Sequence, residues 1–254
     1  MEIKGKVILV TGGVSGLGEA TAVLLTAGGG SVVMIDVNED RGRKLEEGLK
    51  NSLFVKTDIT DTAQVKKAVA AALERYGKID ILVNCAGVAP GAKLLGKKGP
   101  HDIDLFRRTI EINLIGPFDV MRLAAEQMVK NTPNADGERG VIVNTASGAA
   151  FDGQMGQSAY AASKAAIAGM TLPLARDLMD IGIRVCSVAP GLYNTPMVAG
   201  FPEQVRAQLA TMIPFPRRLG NPEEFAFLVQ HIIENPYLNG ETIRIDGALR
   251  MAPK

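Results

Sequence analysis

Several features that mark other protein classes are scarce in this chain of 254 residues. It has only two cysteines, Cys85 and Cys186, without the spacing of metal ligands, and its 28 Lys and Arg residues are nearly balanced by 27 Asp and Glu residues. So few cysteines argue against a disulfide framework and favour a reducing compartment. The balanced charge gives no electrostatic reason to expect nucleic acid or an anionic membrane as a partner.

Long apolar runs and histidine clusters are scarce as well. No run reaches the roughly 18 to 20 residues that span a bilayer. The opening MEIKGKVILVTGG enters a predicted strand within a few residues, which leaves no room for a cleavable targeting peptide. His101 and His231 are isolated, so we predict structural roles for both and no metal site. These absences favour a soluble protein of the cytoplasm, with the mitochondrial matrix as the alternative.

Short β-branched runs alternate with helical windows along the whole chain. We predict strands at 6–11, 31–36, 53–58, 79–84, 140–147, 183–190 and 241–246, and helices over roughly 16–28, 39–50, 61–76, 104–130, 158–180 and 222–234. Apolar strands separated by helices are typical of a parallel sheet covered on both faces. The prediction is a single α/β domain over 1–254, a Rossmann-like doubly wound sheet of about seven strands that binds ligands at the carboxyl ends of its strands.

The segment TGGVSGLG follows the first predicted strand. Its glycines Gly12, Gly16 and Gly18 allow a tight turn and let the backbone approach a pyrophosphate at the N-terminus of the next helix. An ordinary strand-to-helix turn is the alternative, but the place of the segment after the first strand of an alternating series favours a dinucleotide site. Ser15 and Leu17 of this segment join the candidate cofactor-binding residues.

Acidic residues close the second and third predicted strands. Asp36 can accept hydrogen bonds from the adenosine ribose and would repel a 2′-phosphate, which favours NAD over NADP. No Arg or Lys lies between Thr11 and Asp36 to bind such a phosphate. Asp58 could face the adenine amino group, with the Ile59 amide beside it. Helix capping is the alternative for Asp36 and Asp58, and a stronger one for Asp61.

The fourth predicted strand ends in NCAG. Small residues there let the backbone lie against the cofactor ribose, so Cys85, Ala86 and Gly87 are candidate cofactor-binding residues. The Cys85 thiol would contribute shape more than reactivity. A buried and inert thiol is the default interpretation for both cysteines.

Ser147, Tyr160 and Lys164 form the candidate catalytic set. Ser147 follows the fifth predicted strand, and Tyr160 and Lys164 stand one helical turn apart among the alanines of SAYAASKAAIAGM. A free tyrosine titrates near pKa ~10, and a neighbouring ammonium should lower the pKa of Tyr160 toward the neutral range. Ser147 could then orient the substrate oxygen. A tyrosine and a lysine at this spacing also occur by chance on solvated helix faces, which is the alternative.

Together these pieces resemble the short-chain dehydrogenase/reductase family over essentially the whole chain. The resemblance rests on TGGVSGLG, NCAG, NLIG, Ser147, YAASK and APG in this order. It implies that Tyr160 is the general acid/base and that Ser147 polarises the substrate oxygen. It also implies that Lys164 holds the nicotinamide ribose and lowers the pKa of Tyr160. The family often has Asn at the positions of Cys85 and Cys186, but neither departure touches the catalytic set.

The same resemblance adds three residues to the candidate site. It implies that Asn113 in INLIG carries a proton-relay water, that Thr195 bonds the nicotinamide carboxamide and that Tyr193 lies beside the nicotinamide. The segment of approximately 191–217 is predicted to be a mobile lid over an apolar substrate. A packed surface excursion or an oligomer contact is the alternative. Its apolar residues are Leu192, Tyr193, Met197, Val198, Phe201, Met212 and Phe215.

Two insertions bear on the substrate. GVAPGAKLLGKKGPHDIDLF and KNTPNADGERG, with NGETIRIDGALRM, resemble a subfamily of NAD-dependent 3-hydroxyacyl-CoA dehydrogenases that also oxidise some steroid alcohols. The resemblance implies the same reaction and a homotetramer. The basic residues Lys97, Lys98, Arg217 and Arg218 are candidates for contacts with CoA phosphates, and a solvated basic edge is the alternative for each.

Three other functions compete with this prediction. A 3-oxoacyl thioester reductase should prefer NADPH, which Asp36 disfavours. A hydroxysteroid dehydrogenase would use the same catalytic set on another alcohol. A non-enzymatic scaffold that only binds the dinucleotide is disfavoured because Ser147, Tyr160 and Lys164 are all present.

Overall fold

The computed structural model describes residues 1–97, 99–200 and 202–253. Its strands are β1 (Val7–Thr11), β2 (Ser31–Asp36), β3 (Ser52–Lys56), β4 (Ile81–Asn84), β5 (Leu95–Gly96), β6 (Gly99–Pro100), β7 (Gly140–Thr145), β8 (Ile183–Pro190) and β9 (Thr242–Ile245). Seven of them form one parallel sheet in the order β3-β2-β1-β4-β7-β8-β9, while β5 and β6 pair antiparallel by themselves. The predicted doubly wound sheet of seven strands is confirmed.

Helices follow most strands. They are α1 (Gly16–Ala27), α2 (Glu39–Gly48), α3 (Thr62–Tyr76), α4 (Ile103–Ile110), α5 (Gly116–Met128), α6 (Ser158–Asp177), α7 (Pro196–Ala199), α8 (Glu203–Thr211) and α9 (Pro222–Glu234). None of the helices in the described ranges is long and apolar enough to cross a membrane. The short helices α7 and α8 lie in the predicted lid, and neither is among the helices predicted from the sequence.

The prediction of one continuous helix over 104–130 is wrong in one respect. A π-helical turn, Glu111–Ile115, separates α4 from α5, and Gly116 N–H donates to the carbonyl of Glu111, five residues earlier. Pro117 has no N–H to donate to the carbonyl of Asn113, four residues before it, which disfavours a regular α-helical turn here. The widened turn carries Asn113 into the interior, where it is fully buried.

Apolar side chains alternate along the strands and supply both faces of the sheet. Ile8 and Val10 of β1 join a cluster that α1 and α9 cover, whereas Leu9 joins a second cluster beneath α3, α5 and α6. Both faces are therefore buried, as a parallel sheet requires. The carboxyl edge of the sheet is left for ligands.

A buried arginine closes the C-terminal end of α9. Arg184 on β8 is 7% exposed, and its guanidinium donates to Glu138 Oε1 at 2.6 Å. It also donates to the carbonyls of Ile232 and Ile233, both at 2.8 Å, and of Leu238 at 2.7 Å. The last carbonyls of a helix have no partner within the helix, so Arg184 satisfies groups that would otherwise be buried unpaired.

We expect Arg184→Gln to lower the free energy of unfolding by about 3 to 5 kcal/mol, because the variant breaks a buried ion pair and strips these carbonyls of a donor. Urea unfolding at a fixed protein concentration measures the change. Arg176→Gln, an exposed change in the last turn of α6, is the control and should shift the free energy by less than about 0.5 kcal/mol. Equal stability of the two variants would show that the Arg184 network contributes nothing.

Candidate active site

The carboxyl ends of three central strands are joined by side-chain hydrogen bonds. Thr11, Asn84 and Asn144 stand in register on β1, β4 and β7. Thr11 Oγ1 donates to Asn84 Oδ1 at 3.2 Å, and Asn84 Nδ2 donates to Asn144 Oδ1 at 2.9 Å. The amides of Cys85 and Ala86 donate to Thr11 Oγ1 at 3.2 and 3.3 Å. The NCAG segment is thereby held against the start of the glycine-rich turn.

The glycine-rich turn lies against the backbone of Cys85 and Ala86. Gly12 has a φ of 62°, and a Cβ on it would lie 2.8 Å from Ala86 N. A Cβ on Gly18 would lie 2.1 Å from the carbonyl oxygen of Gly12, so neither position accepts a larger residue. Ser15 precedes α1 without capping it through its side chain. A bare turn at a helix N-terminus fits the pyrophosphate of a dinucleotide.

Asp36 ends β2 and is partly exposed. Its Oδ1 accepts a hydrogen bond from Asn38 N at 3.0 Å, but the N-cap of α2 is Asn38, so Asp36 does not cap this helix. Arg41 is a basic neighbour of this edge that the sequence analysis missed. Its Nε donates to the carbonyl of Val14 at 3.0 Å, and its Nη2 pairs with Glu19 Oε2 at 2.6 Å. Arg41 follows the strand in the chain and folds back onto the glycine-rich turn.

Asp58 and Asp61 both make local hydrogen bonds. Asp61 is the N-cap of α3 and accepts from two backbone N–H groups of its first turn, so capping is confirmed for it. Asp58 Oδ1 accepts from the amide and the hydroxyl of Thr60 at 3.0 and 2.8 Å. Ile59 is buried, and a Cβ on Gly116 would lie 2.9 Å from its side chain. Contacts of Asp58 and the Ile59 amide with adenine remain predictions.

Asn113 ties the end of the NCAG segment to α6. Its Oδ1 accepts from Val88 N at 2.8 Å, and its Nδ2 donates to Val88 O at 2.8 Å and to Ser163 Oγ at 3.1 Å. A Cβ on Gly87 would lie 3.1 Å from Asn113 Oδ1 and 3.6 Å from Lys164 Nζ. The side-chain amide of Asn113 is thus engaged by protein atoms, and its predicted relay role stays a prediction.

The structure brings Ser147, Tyr160 and Lys164 together. Ser147 is 5% exposed and begins a 3₁₀ turn, with its Oγ accepting from Ala149 N at 3.1 Å. Lys164 is 4% exposed, and its Nζ donates to the carbonyl of Thr145 at 2.7 Å. The same Nζ lies 6.0 Å from the centroid of the Tyr160 ring. Hydroxyl, phenol and ammonium are therefore gathered beyond the ends of β7 and β4.

Burial, rather than mutual attraction, controls the pKa values of this pair. Burial raises the pKa of Tyr160, and a hydrogen bond with Ser147 lowers it in part. Burial also lowers the pKa of Lys164 to about 8. A lowering of the Tyr160 pKa by Lys164, which the sequence predicts, does not appear in this structure, because desolvation of the phenol dominates.

Both cysteines have the character of inert thiols. Burial raises the pKa of Cys85 to about 11, although Thr145 Oγ1 donates to its Sγ at 3.6 Å. Cys186 is fully buried in β8, and burial raises its pKa as well. Both cysteines are therefore protonated thiols at neutral pH, which agrees with the prediction of buried and inert thiols.

The predicted lid begins in contact with the glycine-rich turn. A Cβ on Gly16, whose φ is 53°, would lie 3.2 Å from Thr195 Cγ2, while Leu17 packs against the core. The Tyr193 side chain points elsewhere: it is 6% exposed, packs edge-on against Phe225 and donates to the carbonyl of Ile245 at 3.3 Å. Any contact of Tyr193 with nicotinamide would therefore fall to its backbone.

The apolar residues of the predicted lid do not share one inner surface. Val198 is buried, whereas Phe215 is 81% exposed. Phe201 and the Met197 side chain lie outside the described residues. The buried Val198 agrees with a packed surface excursion, and the exposed Phe215 agrees with a surface that contacts a ligand or another chain. Closure of this segment over a substrate remains a prediction.

The candidate CoA-binding residues also divide. Arg218 donates to both carboxylate oxygens of Glu224, at 2.8 and 2.6 Å, so it already has an acidic partner. Lys97 and Arg217 are exposed, and Lys98 lies outside the described residues. The solvated basic edge is therefore the better interpretation for Arg218.

The lowered pKa of Lys164 makes stability depend on pH. Between its folded pKa of about 8 and its ordinary value of 10.5, the unfolded chain binds a proton that the folded chain lacks, so stability rises with pH in this window. Relative to Lys164→Met, the free energy of unfolding should rise by about 2 to 3 kcal/mol from about pH 8 to about pH 10. Urea unfolding across this range tests it. Lys66→Met, on the exposed face of α3, should show the same pH dependence of the free energy of unfolding as the unsubstituted protein. If Lys164→Met also showed that dependence, the lowered pKa of Lys164 would be refuted.

Comparison with known proteins identifies the family. The model of the family described as short chain dehydrogenase matches residues 6–206. The chain is 55% identical over 254 residues to 3-hydroxyacyl-CoA dehydrogenase type-2 of Drosophila melanogaster, covering 99% of this chain and 100% of that protein. It is 51% identical over 254 residues to the human protein of that name, covering 99% and 97%. The crystal structure of 3-hydroxyacyl-CoA dehydrogenase type-2 from Mycobacterium avium superposes with a TM-score of 0.94 at 39% identity over 100% of both chains. The chain therefore belongs to the short-chain dehydrogenase family, and this membership implies a nicotinamide dinucleotide as its cofactor.

Proposed function

We propose that the protein oxidises the 3-hydroxyl group of a 3-hydroxyacyl-CoA to the 3-oxo group, reversibly, with NAD. The observation that carries the proposal is the convergence of Ser147, Tyr160 and Lys164 near a glycine-rich turn at the N-terminus of α1, where the pyrophosphate of a dinucleotide could bind. Relatives that align over their whole or nearly whole length carry the name 3-hydroxyacyl-CoA dehydrogenase type-2. NAD, when bound, supplies the hydride acceptor.

The residues of the site divide the work of proton transfer. Tyr160 takes the proton of the substrate hydroxyl during oxidation and returns it during reduction. Ser147 hydrogen-bonds the substrate oxygen and orients it toward the phenol. Lys164 lies next to Gly87 at the end of the NCAG segment, where it would hold the cofactor ribose. The side-chain amide of Asn113 is already hydrogen-bonded to protein atoms. A proton relay through Asn113 would therefore use its backbone carbonyl, to which Pro117 has no N–H to donate.

Replacement of Tyr160 tests this division. We expect Tyr160→Phe to lower kcat/KM for the alcohol by at least about 100-fold, because general acid/base catalysis is lost while the ring is kept. Since the pKa of Tyr160 is raised, oxidation by the unsubstituted protein should quicken as pH rises above neutral, and the variant should lack that increase. Binding of NADH, followed by fluorescence titration, should stay within about twofold. Ordinary turnover by Tyr160→Phe would overturn the mechanism.

NAD rather than NADP is the proposed cofactor. Asp36 lies at the edge where an adenosine ribose would meet the glycine-rich turn, and its carboxylate would repel a 2′-phosphate. Arg41 is the basic group at this edge that could attract one. It is held by Glu19 and by the carbonyl of Val14, so its charge is already matched. Because Arg41 and Glu19 compensate each other, Asp36 is the carboxylate that would oppose a 2′-phosphate here.

Initial rates of 3-hydroxybutyryl-CoA oxidation with NAD and NADP in parallel test the substrate and the cofactor together. We expect kcat/KM with NAD to exceed that with NADP by at least about tenfold, since a phosphate beside Asp36 meets like charge. Asp36→Ser should reduce the ratio of kcat/KM with NAD to kcat/KM with NADP. It should also reduce the difference between the Kd values of NADH and NADPH. Glu47→Gln, an exposed change on α2, serves as the control.

Each other outcome points to a different function. Faster turnover with NADPH would favour a 3-oxoacyl thioester reductase. Tight NADH binding without oxidation of the thioester would favour a hydroxysteroid or other alcohol dehydrogenase. Binding without turnover of any alcohol would leave a dinucleotide-binding scaffold.

We further propose a homotetramer that acts in the cytoplasm or the mitochondrial matrix. The resemblance to the family supports the assembly, as do exposed apolar side chains on α4, the π-helical turn, α5 and α6, namely Ile103, Ile115, Phe118 and Leu172. Exposed apolar side chains of this kind favour contact with another protein surface. The scarcity of cysteine supports a reducing compartment.

A further inference from the structure

The turn that carries Ser147 is short and tightly bonded. Ala149 N donates to Ser147 Oγ at 3.1 Å, and Ala150 N donates to the carbonyl of Ser147 at 3.0 Å. Asp152 N donates to the carbonyl of Gly148 at 3.0 Å. A movement of Asp152 would therefore pass to Ser147 through two overlapping backbone turns.

Arg244 on β9 holds this turn through contacts with two of its residues, Phe151 and Asp152. Its Nη2 pairs with Asp152 Oδ2 at 2.5 Å, and its guanidinium carbon lies 5.1 Å from the centroid of the Phe151 ring. Its Nε pairs with Asp246 Oδ2 at 2.7 Å, and its Nη2 also donates to the carbonyl of Leu249 at 3.1 Å. One planar fork thus contacts two carboxylates, a ring and a carbonyl, which a lysine ammonium could not do.

The turn is fastened on its other sides too. A Cβ on Gly153 would lie 3.3 Å from Ala161 Cβ, next to Tyr160 on α6. Met155 N donates to the carbonyl of Pro253 at 3.1 Å, and Gln154 Nε2 donates to the carbonyl of Ala252 at 3.0 Å. The turn is therefore confined between the catalytic helix and the C-terminal segment. Arg244 joins the turn to that segment through Asp152 on one side and Asp246 and Leu249 on the other.

The same C-terminal segment supports the predicted lid. Phe215 N donates to the carbonyl of Gly247 at 3.3 Å, and a Cβ on Gly191 would lie 2.7 Å from Asp246 Cβ. Both ends of 191–217 therefore rest on the residues that follow β9. Arg244 bonds Asp246 and Leu249 of that stretch, so it connects the support of the lid with the turn of Ser147.

We propose that Arg244 is a positioning residue for the substrate: it fixes the turn that carries Ser147 and with it the wall of the alcohol site. It makes no contact with the glycine-rich turn or Asp36 in the described ranges, so we expect its replacement to change NADH binding much less than substrate binding. The kinetic form of this inference rests on the proposed function. A misplacement of about 1 Å at a site of this kind can cost about 100-fold in rate.

Arg244→Gln and Arg250→Gln form a matched pair. Arg250 bonds the same carboxylate, Asp246, at 3.1 Å, but it is 60% exposed in its side chain and does not contact Asp152. We expect Arg244→Gln to raise KM for 3-hydroxybutyryl-CoA by at least about fivefold and to lower kcat, with the Kd of NADH within about twofold. Arg250→Gln should leave all three within about twofold.

Asp152→Asn removes the charge of the same ion pair from the side of the turn and keeps the test decisive if Arg244→Gln does not fold. It should also raise KM, and the double variant should resemble Arg244→Gln alone, because both changes remove one interaction. Hydrogen exchange should quicken in 148–157 in both variants and remain unchanged in β1 and α1.

Two results would overturn the proposal. One is a KM in Arg244→Gln and Asp152→Asn equal to that of Arg250→Gln. The other is a loss of NADH binding in parallel with KM, or faster exchange across the whole sheet, which would mark Arg244 as a general stabiliser. If the unsubstituted protein does not oxidise the thioester, the proposed function fails, and the exchange of 148–157 decides the role of Arg244 by itself.

Discussion

The shared register of Thr11, Asn84 and Asn144 is the constraint on which the site depends. Their side chains join β1, β4 and β7 at one level, and Thr11 also accepts hydrogen bonds from the amides that follow β4. Because a slip of one residue would turn each side chain to the other face of the sheet, this level cannot shift while both faces stay buried. The glycine-rich turn begins one residue beyond this level, Asn84 is itself the first residue of the NCAG segment, and Ser147 lies three residues beyond Asn144. The sheet therefore sets the separations of these three parts.

Desolvation governs the chemistry at this edge more than attraction between charges does. The closely packed helix that carries Tyr160 and Lys164 takes both away from water, which disfavours the phenolate and the ammonium alike. Each group is therefore nearer to its neutral form than in a solvated position. Charge brought by ligands would act strongly in such a place, since little water screens it.

Arginines outside the recognisable motifs hold the motifs in place. Arg41 binds the glycine-rich turn through the carbonyl of Val14, Arg184 binds the end of α9, and Arg244 binds the turn after Ser147. Each guanidinium contacts at least one carboxylate and at least one carbonyl. The planar, always charged fork makes several directed hydrogen bonds at once, which suits the joining of loops that are distant in the chain.

The sequence by itself determined the parallel sheet, the position of its ligand edge and the residue types gathered there, because strand periodicity, glycine spacing and a tyrosine four residues before a lysine are local properties. Tertiary structure alone decided the rest. The π-helical turn that buries Asn113, the inward Tyr193 ring and the return of Arg41 and Arg244 to the site depend on contacts between residues far apart in the chain. The pKa of Tyr160 shows the difference best: proximity of Lys164 predicted a lower value, whereas burial, which no local pattern reports, raises it.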